Sequence, residues 1–125
     1  MRPKSDTLTG QELEIMKVIW RHGGATVRDV YDDLRARRTI AHTSVQTMMN
    51  VLEAKGHLKK QPGEKAQVYT PTRPQKQMMR SMVREFVDRV FDGSARPLLV
   101  HLLKERGLTL RERQELQRLL DEDEL

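Results

Sequence analysis

Cysteine is absent from the 125 residues. That excludes a disulfide framework, a thiolate metal site and a cysteine nucleophile. Aromatic side chains are scarce: Trp20, Tyr31, Tyr69, Phe86 and Phe91 are all of them. A core must therefore be built from Leu, Val, Ile and Met. Long apolar runs are missing too. The longest nearly apolar stretch, Pro97 to Leu103, is far too short to span a bilayer. The basic start Met1-Arg2-Pro3-Lys4 leads into no apolar segment, so no secretory leader is expected. These absences lead us to expect a cytoplasmic protein without membrane insertion. No Gly-rich phosphate loop or nucleophile motif occurs. His22, His42, His57 and His101 are scattered, with no metal-ligand spacing between them. We expect no enzyme activity, no cofactor and no metal.

What is present is charge, unevenly placed. The net charge is +5. Residues 1–73 hold thirteen Lys and Arg against eight Asp and Glu, whereas residues 74–125 hold ten of each. The whole excess lies in the first part, which suggests a basic module joined to a neutral one.

The basic part reads as three helices and a hairpin. Thr9 and Glu12 form a capping box opening a helix over about residues 8–21, with Leu8 and Leu13 placed as a hydrophobic staple. Gly23-Gly24 stops it. Thr26, with Asp29 three residues on, caps a second helix striped by Val27, Val30, Tyr31 and Leu34. A third helix is expected over about residues 43–55, with Val45, Met48, Met49 and Leu52 inward and Gly56 ending it. Two short strands around Leu58 and around Val68-Tyr69, with Pro62-Gly63 between them, suggest a hairpin. Pro71 and Pro74 mark the boundary.

The neutral part is helical. Met78, Met79, Met82, Val83, Phe86, Val87, Val90 and Phe91 make a wide stripe over residues 75–91. Ser94 is placed to cap a second helix running to Gly107, and Thr109 with Glu112 caps a third that ends in the acidic tail Asp121 to Glu124. The fold class expected is mainly α with a small β-hairpin.

Three helices followed by a hairpin is the element order of a winged helix, whose third helix enters the DNA major groove while the hairpin wing follows the backbone. The face of helix three opposite its apolar stripe carries Thr43, Gln46, Thr47 and Asn50. Gln and Asn can pair with adenine, and Thr can meet a thymine methyl. These four are the candidate base contacts, although Thr43 and Gln46 are also spaced as a capping box. Arg28, Arg37, Arg38, His42, Ser44, Lys55, Lys59, Lys60 and Lys65 surround that face as candidate phosphate contacts. The apolar stripes of residues 74–125 exceed what so short a segment buries alone, pointing to a homodimer on a palindromic operator, the alternative being that these helices pack back onto the first module as one monomeric domain. The candidate interface is Met79, Met82, Val83, Phe86, Val90, Leu98, Leu99, Leu102, Leu103, Leu116, Leu119 and Leu120. Two other readings stay open at this point. A winged helix also serves as a protein-interaction module that binds no DNA. Met78, Met79 and Met82 also suit a small-molecule pocket, or simply core.

Three blocks carry a family resemblance. They are Leu8-Thr9-Gly10-Gln11-Glu12-Leu13-Glu14-Ile15-Met16 leading to Val18-Ile19-Trp20, then Ala41 to Leu52 with Lys55-Gly56, then Phe86 to Ser94. In this order they resemble the penicillinase-repressor family, which regulates β-lactamase and methicillin-resistance genes and has copper-responsive relatives. The resemblance covers about residues 8–120. It implies a dimeric winged-helix repressor binding operator DNA through the helix carrying Thr43 to Asn50 and the wing. It also implies release by a membrane sensor–protease pathway that cuts the dimerisation region. The family's scissile asparagine–phenylalanine pair falls at His101-Leu102 here, a departure in protease specificity. The copper-responsive members carry C-terminal cysteine pairs, which this chain lacks.

Overall fold

The computed structural model describes residues 8–123, apart from the side chains of Arg106, Leu120 and Asp123. Its elements are α1 (Gly10–His22), α2 (Val27–Arg35), α3 (His42–Ala54), β1 (Leu58–Pro62), β2 (Gln67–Pro71), α4 (Gln75–Val90), α5 (Arg96–His101), one π-helical turn (Leu102–Arg106) and α6 (Leu110–Asp123). The fold is mainly α with one antiparallel two-stranded hairpin.

Local chemistry starts three of the helices. The Thr9 hydroxyl accepts from the Glu12 amide at 3.1 Å, and the Glu12 carboxylate accepts from the Thr9 amide at 2.9 Å. The same reciprocal box forms between Thr26 and Asp29 before α2 and between Thr109 and Glu112 before α6. Each box satisfies two amides that helix geometry leaves unpaired. At the other end of α1, Gly23 adopts φ 76°, and its amide donates back to Ile19 and Trp20. That left-handed turn is open to glycine without the Cβ penalty other residues meet.

The apolar stripes of these helices then meet in one core. Ile15, Met16, Val18 and Ile19 of α1, Val30 and Leu34 of α2, and Val45, Met49 and Leu52 of α3 are buried together with Leu58 and Tyr69 of the hairpin. Each such side chain contributes about 1.5–3 kcal/mol by leaving water. The hairpin is tied in through its backbone. Ala25 and Tyr69 exchange both amide bonds, at 3.0 and 2.8 Å, and Trp20 donates its indole N–H to the Arg73 carbonyl at 3.0 Å.

Several sequence expectations shift. Helix three starts at His42, with Ala41 in the capping position and no side-chain cap. The Thr43–Gln46 capping box therefore does not form. Ser94 is not a cap either: Ala95 takes that position without a side-chain bond, and Pro97 in the first turn sets the start of α5. The helix expected up to Gly107 loosens after His101 into the π turn, closed by the Gly107 amide on the Leu102 carbonyl at 3.1 Å. The acidic tail is helical up to Asp123, and Glu124 lies outside the described residues.

The chain divides into two compact units, one ending at Val83 and the other beginning at Arg84. The first extends past the Pro71–Pro74 boundary because Met78 of α4 is buried in its core and Met82 packs against that core. No helix among the described residues is long and apolar enough to cross a membrane.

Candidate nucleic-acid interface

The two faces of α3 are cleanly divided. Val45, Met49 and Leu52 are fully buried and anchor the helix, while His42, Gln46 and Asn50 follow one another at one-turn intervals on the exposed side. Thr43 and Thr47 lie beside that row, also exposed, as is Ser44. The Gln46 side chain makes no hydrogen bond among the described residues, so both edges of its amide remain available. At the start of α3 the Ser44 amide donates to the Ala41 carbonyl at 3.1 Å, and no side chain caps the turn.

The hairpin supplies the second wall. Lys60 pairs across the ladder with Tyr69, and Leu58 with Pro71. Side chains alternate along a strand, so Leu58, Lys60 and Pro62 share one face of β1. Leu58 is buried at the base of that face and Lys60 stands above it, toward α3. Lys59 falls on the opposite face. The result is a groove of about 340 Å³ lined by Val27 and Arg28 of α2, His42, Gln46 and Asn50 of α3, and Lys60, Ala66, Gln67 and Tyr69 of the hairpin. Five sequence-predicted residues from three separate elements thus meet in one place. Within it the Tyr69 hydroxyl donates to Asn50 Oδ1 at 2.8 Å. His42 stands edge-on to the Tyr31 ring, their centroids 5.2 Å apart, and Arg35 lies over the same ring.

Other predicted cations are engaged elsewhere. Lys55 Nζ lies 2.8 Å from Glu12 Oε2, whose side chain is only 6% exposed. Burial alone would raise the Glu12 pKa. The Lys55 ammonium and the Thr9 amide outweigh it and hold the carboxyl below its ordinary value. Arg37 pairs with Asp33, which also receives Arg21 at 2.9 Å and His22 at 3.5 Å. Burial pushes the Asp33 carboxyl up, and hydrogen bonds from Arg37 and His22 with the charge of Arg21 bring it below the ordinary range. Arg38 Nε lies 3.4 Å from Glu14. Arg28 is paired with Asp32 at 3.2 Å, but both are well exposed, so that contact is weak and exchangeable. Lys59, Lys60 and Lys65 are exposed and make no ion pair among the described residues.

Tyr69 and Gln67 were missed as site residues. Tyr69 reads in the sequence as an apolar strand position, and only its register opposite Lys60 reveals that its ring runs beneath the groove.

The candidate dimer residues divide by exposure. Val83, Phe86, Val90, Leu99, Leu103, Leu116 and Leu119 are exposed; Met79, Leu98 and Leu102 are partly so. Met82 is half-buried and packs on the first unit's core. Leu120 lies outside the described side chains. His101 ends α5 and Leu102 opens the π turn. Among the described residues no cluster of three His, Asp or Glu is arranged to hold a metal ion.

The penicillinase repressor of Bacillus licheniformis is 29% identical over 119 residues, covering 95% of this chain and 93% of that protein. The methicillin resistance regulatory protein MecI of Mammaliicoccus sciuri is 20% identical over 121 residues, covering 97% and 98%. Among solved structures, the DNA-binding domain of the repressor BlaI superposes with a TM-score of 0.52 at 32% identity, covering 59% of this chain and 90% of the domain. Monomeric Bacillus licheniformis BlaI in complex with the blaP half-operator gives 0.51 at 33% identity, covering 58% and 89%. The family profile of the penicillinase repressors matches residues 8–122, and this chain belongs to that family.

Proposed function

We propose that this chain is a transcriptional repressor that binds a palindromic operator as a homodimer. The observation that carries the reading is the groove: a polar, acid-free row on α3 faces a cationic wing across a cleft of about 340 Å³. That a similar protein has been solved with a half-operator supports the same use of this module. In this reading Gln46, Thr47, Thr43 and Asn50 meet base edges. Arg28, His42, Ser44, Lys59, Lys60 and Lys65 meet phosphate. Arg37 and Lys55 are left out of the phosphate set because carboxylates already hold them, and Arg38 because its Nε is buried beside Glu14.

Dimerisation is assigned to the residues from Val83 onward, where exposed Phe86, Val90, Leu99 and Leu103 would otherwise leave apolar surface in water. Release is assigned to proteolysis at His101-Leu102, where α5 gives way to the π turn. Mass spectrometry of the chain from induced cells checks this: fragments meeting at that bond are expected, and an intact chain on free operator contradicts it. A repressor of this kind works in the cytoplasm, and β-lactamase genes are the regulated class the family suggests.

The test is fluorescence anisotropy with a duplex carrying the operator. Gln46→Ala should lower preference for the operator over scrambled DNA by about 1–3 kcal/mol, while Lys65→Ala should weaken both alike. If neither duplex binds at low salt, the chain is instead a winged helix that docks proteins.

A further inference from the structure

We propose that Tyr69 is a positioning residue for base reading, fixing the Asn50 amide so that Asn50 acts as a donor. The assignment rests on the DNA reading of the groove given above. Tyr69 is 4% exposed. Its backbone N–H and C=O both bond to Ala25, and the ladder sets the residue opposite Lys60. The ring therefore has little freedom, and its hydroxyl reaches Asn50 Oδ1 at 2.8 Å. A buried phenol needs a partner for its proton, and the amide oxygen is the acceptor that Asn50 offers. Holding that oxygen against the sheet turns the NH2 group, with its two donors, into the groove.

The consequence separates two residues that look equivalent in sequence. The Gln46 side chain, one turn away, has no hydrogen bond among the described residues and presents both edges, as paired recognition of adenine requires. Asn50 presents donors, beside the Lys60 ammonium and the Arg28 guanidinium. Such a corner suits a base edge that only accepts. In the major groove guanine offers N7 and O6 and thymine offers O4, whereas adenine places a donor beside its N7 and cytosine offers a donor. The base beneath Asn50 is therefore guanine or thymine.

Selection from a random duplex library by the full chain tests this, with the position read by Asn50 identified through Asn50→Ala. Guanine or thymine should be enriched there about three- to tenfold over adenine and cytosine, the range of one net hydrogen bond. Tyr69→Phe, its fold checked by thermal melting, should flatten that position alone and leave those read by Gln46 and Thr47 intact. Asn50→Asp still accepts from Tyr69 but donates nothing, and should shift the same position toward adenine or cytosine. Because residue 50 is exposed, that variant keeps the test decisive if Tyr69→Phe unfolds. Unchanged preference in Tyr69→Phe, or uniform weakening at every position, would overturn the role of Tyr69 while leaving the DNA reading in place. If the wild-type chain enriches no sequence, the DNA reading itself fails and this assignment goes with it.

Discussion

Glu12 accepts from the Thr9 amide at the start of α1 and from Lys55 at the end of α3, so one carboxylate joins two helices distant in sequence. Its pKa is held below the ordinary 4.5. A lowered carboxylate pKa stabilises the fold above the unfolded value, and that stabilisation is lost as the pH falls through the folded one. The melting temperature should therefore decline as the pH drops below about 4.5. Glu12→Gln should reduce that decline and cost about 1–2 kcal/mol at neutral pH; Asp33, shifted the same way, keeps some of the slope. Thermal melts of both proteins between neutral and acid pH check this. The same pair separates two lysines that the sequence treats alike. Lys55→Met should lower stability and leave the salt dependence of DNA binding unchanged, because Lys55 is engaged with Glu12. Lys60→Ala should leave stability alone and reduce the log–log salt slope by about one.

Among the elements, the wing has the least tolerant backbone position. The Gly63 amide donates to the Ala66 carbonyl at 3.0 Å, and a Cβ on Gly63 would stand 2.5 Å from that same oxygen. Gly63→Ala must open the turn, at a cost of about 1–3 kcal/mol, and should weaken DNA binding more than it lowers the melting temperature of the core. What was legible in the sequence follows from range. The capping boxes at Thr9, Thr26 and Thr109 join residues three apart, so their spacing alone exposes them. The division of α3 into a buried and a polar face is a 3.6-residue periodicity, and Pro62-Gly63 marks the hairpin. The remainder depends on what the fold brings together. Tyr69 meets Asn50 across 19 positions, and Lys55 meets Glu12 across 43. The burial of Met78 with the first unit cannot be told from a dimer stripe on the same helix. An apolar stripe also fails to separate α from π geometry, which hid the turn at Leu102–Arg106.

For the whole molecule, the uneven charge now has a structural address. The basic excess of residues 1–73 is partly consumed internally by Glu12, Glu14 and Asp33, while Arg28 and the wing lysines remain outward. The unit from Arg84 onward carries exposed Phe86, Val90, Leu99 and Leu103, and its sequence holds eight Lys and Arg against ten Asp and Glu, so it has no basic excess. If those residues join two copies, Val90→Glu should weaken self-association by about 30-fold or more, as for a central interface residue. The variant should still melt as a folded winged helix and bind a single half-site. Sedimentation velocity at micromolar concentration distinguishes this from a chain that is monomeric throughout.

The central claim is sequence-specific DNA binding through the groove between α3 and the wing. A salt-dependent anisotropy titration of the full chain tests it most directly, comparing the duplex enriched from a random library with a scrambled version. The expected result is affinity for the enriched duplex at least about 10³-fold tighter than for the scrambled one. Its salt slope should be about −3 to −4 per protomer, from Arg28, Lys59, Lys60 and Lys65. Equal affinity for the two duplexes, or binding indifferent to salt, would contradict it.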